Sequence, residues 1–236
     1  MRSKRLYGLV LLLVLCVSVQ AQKRLTEPEM YLGVHGGVLG STVIFSPANE
    51  YMTPFINGAI LGGTGGLVFR YSEQKCCAVQ VELNYMQRGW RETGIDINSI
   101  QANYTRNLHY LELPFLMHLY FGKRRFRGFL NLGPQIGYCI KDEIINHNPE
   151  GFPDLPEFQK IEHPFDWGVA GGLGCYFRSR NAGVYQLEIR ANYSLGTLFN
   201  NKVGADFQQS NPLNIGIHLA WLWEFKPAKL AKPAKL

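Results

Sequence analysis

Six charged residues, Arg70, Glu82, Arg88, Glu112, Glu188 and Arg190, sit inside otherwise apolar stretches. In each stretch the charge falls at alternate positions, opposite aliphatic or aromatic residues. Carboxylates and guanidinium groups gathered on one face have two chemical uses. They can line a path for protons or ions, or they can pair with one another and fill an interior. Buried charges are costly unless paired, and a narrow interior leaves little room for anything but side chains. The six are therefore read as a structural charge network, with an ion path as the alternative.

Other constellations are weaker. His35, His118 and His218 share the parity of the charged set, but a metal site would need all three at one height; polar filling is the expected role, with no metal or cofactor. His147 and His163 lie in an acidic segment with Asp142, Glu143, Glu150, Asp154, Glu157 and Glu162, where calcium or a protein would be the ligand. A solvated loop is the simpler reading. The run Gly62-Gly63-Thr64-Gly65-Gly66 precedes LVFRY, an extended segment, where a phosphate-binding loop would open a helix. No local nucleophile signature accompanies these residues, so no enzyme activity and no catalytic residue is expected. Cys76, Cys77, Cys139 and Cys175 match no zinc spacing and read as small strand residues. The turn Lys123, Arg124, Arg125 and Arg127 is basic enough to dock an acidic partner.

The elements that hold these residues are strands. VYQLEIRANYSL, residues 184–195, alternates strictly: Tyr185, Leu187, Ile189, Ala191, Tyr193 and Leu195 against Gln186, Glu188, Arg190, Asn192 and Ser194. That is the period of a two-faced strand, at a length of about 9–11 residues that crosses a bilayer. Similar patterns predict eight strands: Met30–Gly40, Ala59–Tyr71, Cys77–Trp90, Leu108–Phe121, Gly128–Lys141, Phe165–Phe177, Val184–Leu195 and Leu213–Phe225. Short connections alternate with long ones around Ser41–Gly58, Arg91–Asn107, Asp142–Pro164 and Gly196–Pro212, the arrangement of bacterial membrane barrels.

A soluble sandwich also alternates. The aromatic residues separate the two. Tyr71, Phe121, Phe177, Tyr185, Trp223 and Phe225 fall at the short-turn ends, and Tyr85, Tyr138, Phe165, Trp167 and Tyr193 at the long-loop ends. Two aromatic belts around an aliphatic band match the two membrane interfaces. The strand charges, Asp166 included, avoid the aliphatic face, where an Arg or Lys costs roughly 2–4 kcal/mol at the midplane. The expected fold is all-β, a closed antiparallel transmembrane β-barrel of about eight strands.

The ends fit export. Arg2, Lys4 and Arg5 precede an apolar stretch at Leu6–Val19 and a small-residue cleavage pattern at Val19-Gln20-Ala21, so residues 1–21 read as a signal peptide. Residues 22–225 form the barrel and 226–236 a lysine-rich periplasmic tail. The formal charge of +6 is concentrated in these ends. Setting aside three signal charges and Lys226, Lys229, Lys232 and Lys235 leaves the remaining chain near −1. No nucleic-acid surface follows from that balance.

The passage YLELPFLMHLYFG…FRGFLNLGPQIGY resembles the PorT-like family of outer-membrane β-barrels of Bacteroidetes. LGVHGGV, VFRYSE, VQVELNYMQRGW and FDWGVAGGLG…YQLEIRANYSLG match as well, over roughly residues 31–225. The resemblance implies a barrel in the outer membrane, in contact with its lipid. It also implies a link to type IX protein secretion, in which the family's founding member takes part, and hence a periplasmic or secretion-machinery partner. A last strand ending in Phe225 looks like an outer-membrane assembly signal, although this chain continues past it. The expected function is that of a non-enzymatic structural or interaction barrel; a small pore for ions or solutes is the alternative.

Overall fold

Every regular element among the described residues is a β-strand. The computed structural model describes residues 24–47, 56–74, 76–97, 100–122, 125–146, 161, 163–179, 182–198 and 207–225. These form β1 (Arg24–Pro47), β2 (Ile56–Gly58), β3 (Ile60–Gln74), β4 (Cys77–Ile97), β5 (Ile100–Phe121), β6 (Phe126–Asn146), β7 (Phe165–Arg178), β8 (Val184–Ser194) and β9 (Phe207–Phe225). No helix occurs among the described residues. Eight long strands close a ring in the order β1-β3-β4-β5-β6-β7-β8-β9, and β9 pairs back onto β1 from Met30↔Phe225 upward. Every pairing is antiparallel. The short β2 extends the line of β3 and pairs with the upper part of β4, Ile56↔Thr93. Closure leaves no open edge around the ring, as backbone in hydrocarbon requires.

The faces are inverted relative to a soluble sheet. On β8, Ile189 is 60% exposed and Glu188 1%. Leu32, Leu83, Phe115, Leu132, Leu173 and Leu219 project outward on other strands, while polar and charged side chains fill the interior. Hydrogen-bond register gathers the expected upper aromatics into a row: Tyr85, Leu111, Tyr138 and Phe165 are successive partners across β4 to β7.

The strands run further than alternation indicates. The segment read as a loop at 91–107 is mostly hairpin, with β4 and β5 paired as far as Ile97↔Ile100. β6 continues to Asn146, β1 to Pro47, and β9 begins at Phe207, inside the expected loop 196–212. Above the lipid there is no apolar solvent to enforce a one-sided pattern, so alternation fades while the backbone ladder continues. β7 and β8 stop short, and the rim is uneven.

The residues of YLELP and LGPQIGY meet in the wall. Pro114 of β5 stands opposite Gln135 of β6, and the β5–β6 ladder skips Phe115 and Leu116 beside Pro134. Proline has no N–H for the ladder. Gly133 fits there because a Cβ would overlap the Phe115 carbonyl.

Candidate functional site

The interior is the place where this chain concentrates its chemistry, and strand parity puts it there. All six sequence-predicted charges are buried in the lumen. They form two clusters. In the lower one, the Arg190 guanidinium donates to both Glu82 oxygens at 2.6 and 2.8 Å and to both Glu188 oxygens at 2.9 Å. Glu82 also accepts from Gln80 and from Asn84. Glu188 accepts from Gln186 at 3.0 Å and Asn131 at 2.9 Å. Among the described residues, Arg70 pairs with no carboxylate directly. It donates to Gln80 Oε1 and Gln186 Oε1, and these amides pass the polarity on to the two glutamates. Gln80, Gln186, Asn84 and Asn131 were not singled out from sequence; their inward parity was the available signal.

In the upper cluster Arg88 bridges β5 and β7, with Glu112 at 3.0 Å and Asp166 at 2.5 Å. Ser194 Oγ donates to the same Asp166 oxygen at 2.6 Å. The guanidinium lies 3.4 Å from the centre of the Tyr110 ring, a cation–π contact. Glycine makes room for these groups: a Cβ on Gly172 would collide with the Glu188 carboxylate.

The histidines do not converge. His35 and His218 stack at 5.7 Å, and His35 Nε2 shares a 2.6 Å hydrogen bond with Asn84 Oδ1. His118 instead lies 4.6 Å from the Phe129 ring and bonds Asn131.

Two apolar plugs bound the charges. Toward the short-turn end, Tyr31, Val68, Phe129, Tyr176, Val184 and Leu222 form a buried cluster against Tyr120. Toward the long-loop end, Val43, Trp90, Leu108, Tyr110 and Leu198 form another. Leu198 comes from the segment after β8, which folds into the mouth. Its N–H donates to Ser210 Oγ at 3.0 Å, and the Asn211 amide donates to the Ser194 and Gly196 carbonyls. Arg106 covers this plug, ion-paired with Asp142 and 5.5 Å from the Trp90 ring.

On the outer surface, Tyr85 Oη, His109 and Glu143 form a chain, with 2.5 Å at His109 Nδ1 and 3.3 Å at Nε2. Lys141 pairs with Glu143. Sequence parity missed this group because the register shifts between His109 and Tyr110, leaving Ile140 as an extra residue. That bulge turns Lys141 and Glu143 onto the face of His109. Asp142 and Glu143, read as part of an acidic ligand loop, thus already have partners within the sheet. His147, Glu150, Asp154, Glu157 and Glu162 lie outside the described residues.

Of the basic turn, Lys123 and Arg124 lie outside the described residues, as do the signal segment and the tail. Arg125 is exposed. Arg127 is half-buried, within 5.8 and 6.0 Å of the Tyr120 and Tyr176 rings, so the structure sets it against the lower plug. Among the described residues, no disulfide links Cys76, Cys77, Cys139 or Cys175.

Comparison with known proteins agrees with this architecture. No curated protein matches the sequence. Among solved structures, the outer membrane protein OprG from Pseudomonas aeruginosa is similar, at 13% identity with a TM-score of 0.50, covering 87% of this chain and 99% of that one. Ail, the attachment invasion locus protein of Yersinia pestis, is 11% identical with a TM-score of 0.39, covering 83% and 99%. At this identity the likeness to OprG speaks to the fold alone. The outer membrane protein beta-barrel domain model matches residues 20–200. With a closed antiparallel ring, a lipid-compatible exterior and a polar interior, this chain belongs to the outer membrane protein beta-barrel domain family.

Proposed function

We propose that this chain is a sealed, non-catalytic barrel of the outer membrane that works through its surfaces, as an accessory of type IX protein secretion. One observation carries the first half: the paired lumen charges lie between two apolar plugs. A conducting path needs mobile ions to reach and leave charged groups. Here each strand charge of the interior is held by neighbours, and apolar side chains lie above and below. The small-pore reading has no comparable support. Purified protein in planar bilayers is expected to give no stepwise current; reproducible single-channel steps would overturn the sealed reading.

The secretion role rests on the PorT-like motifs, with the exposed Arg125 supplying a periplasmic contact for an acidic partner. A strain lacking the gene should accumulate sorting-domain cargo in the periplasm, and charge reversal at Arg125 should reproduce part of that defect. Normal export from the deletion strain would reject this role while leaving the sealed barrel intact.

A further inference from the structure

The lipid-facing wall is not uniform. A cleft of about 480 Å³ crosses it from β6 to β1, within the range of about 300–1,000 Å³ typical of small-molecule sites. Hydrogen-bond register explains its shape. Phe126, Phe177, Tyr185 and Trp221 are successive partners on adjacent strands and form an aromatic rail. The next outward row runs through Leu187 and Leu219 and ends at Gly36. A Cβ at Gly36 would have no neighbour nearer than the Thr64 carbonyl at 3.8 Å. The glycine is therefore not a packing necessity; it leaves the far end of the cleft low.

The cleft has a direction. Phe126 is the first residue of β6, at the short turn. Trp221 lies four residues before the end of β9, and its partner Val34 four residues after Met30, which pairs with that end. The rail therefore climbs from the periplasmic interface toward the middle of the bilayer. Arg125, exposed in the short turn, immediately precedes Phe126 in the chain. The Trp221 indole, held by a 2.7 Å hydrogen bond to the Ala182 carbonyl, keeps the rail in place.

A cation at the interface, followed by an ascending apolar cleft, has the layout of one lipid molecule. We infer that this is a binding site for an anionic glycerophospholipid of the periplasmic leaflet. Its phosphate sits at Arg125 and one acyl chain lies along the rail toward Gly36. Lipid contact is general to a membrane barrel; this site adds selection by headgroup charge.

The test uses the refolded full chain in phosphatidylcholine vesicles, with Trp167→Phe and Trp223→Phe leaving Trp221 as the lipid-facing tryptophan among the described residues. Phosphatidylglycerol with brominated chains should quench Trp221 at about fivefold lower mole fraction than brominated phosphatidylcholine. That is the ratio for about 1 kcal/mol per interfacial arginine. Arg125→Gln should abolish the difference and Arg125→Lys retain most of it. Gly36→Leu, which fills the cleft without touching the arginine, should weaken it. Equal quenching by the two lipids in the parent, a preference surviving Arg125→Gln, or one unaffected by Gly36→Leu would each overturn the site. Heat-modifiable migration of every variant verifies the fold independently.

Discussion

Arg190 carries the largest share of the lower lumen cluster, since its one guanidinium satisfies two buried carboxylates on different strands. Removing it leaves Glu82 and Glu188 without the guanidinium they share. Breaking a buried pair from one side costs about 3–5 kcal/mol. Arg190→Met should lower the urea stability of the folded barrel by that amount, with Glu82→Gln in the same background costing less than it does alone. Strict additivity of the two substitutions would show that the pairing carries little energy. At this scale the sequence was informative about which residues face inward, because parity is a local property. It was silent about who holds whom. Arg70 contacts glutamines rather than glutamates, and that choice depends on how far β3, β4 and β8 are staggered around the ring.

Elements obey the lipid only as far as the lipid reaches. β4, β5 and β6 rise past the upper aromatic row as a three-stranded blade, with β5 and β6 paired to Tyr104↔Asn146. The chain Tyr85–His109–Glu143 ties the three strands together just above the bulge. Deleting its central member removes both links at once. His109→Ala should therefore speed amide exchange in residues 100–108 and 139–146 by roughly fivefold, taking about 1 kcal/mol for the lost contacts. Exchange in β8 should not change. Uniform protection across the blade would mean that the ladder alone holds it. The blade was invisible in the sequence because its residues alternate poorly, and a bulge reverses parity midway. The membrane strands were legible because a one-residue slip there would drive charges into hydrocarbon.

For the whole molecule, the proposed seal consists of two buried clusters acting in series. Opening one leaves the other. In planar bilayers, Trp90→Ala should stay as silent as the parent, whereas Trp90→Ala combined with Phe129→Ala should conduct, because each plug then loses a large buried ring. Current from the single variant would show that the lower plug does not seal. Alternation and aromatic placement by themselves determined an eight-stranded barrel, its membrane faces and its inward charges. All of these follow from local period and from the cost of placing polar groups in lipid. Only the closed ring decided the rest: which charges pair, that Leu198 folds back into the mouth, and that an aromatic rail climbs from Arg125. These depend on register between strands distant in sequence, and register is set by packing around the whole circumference rather than by any one strand.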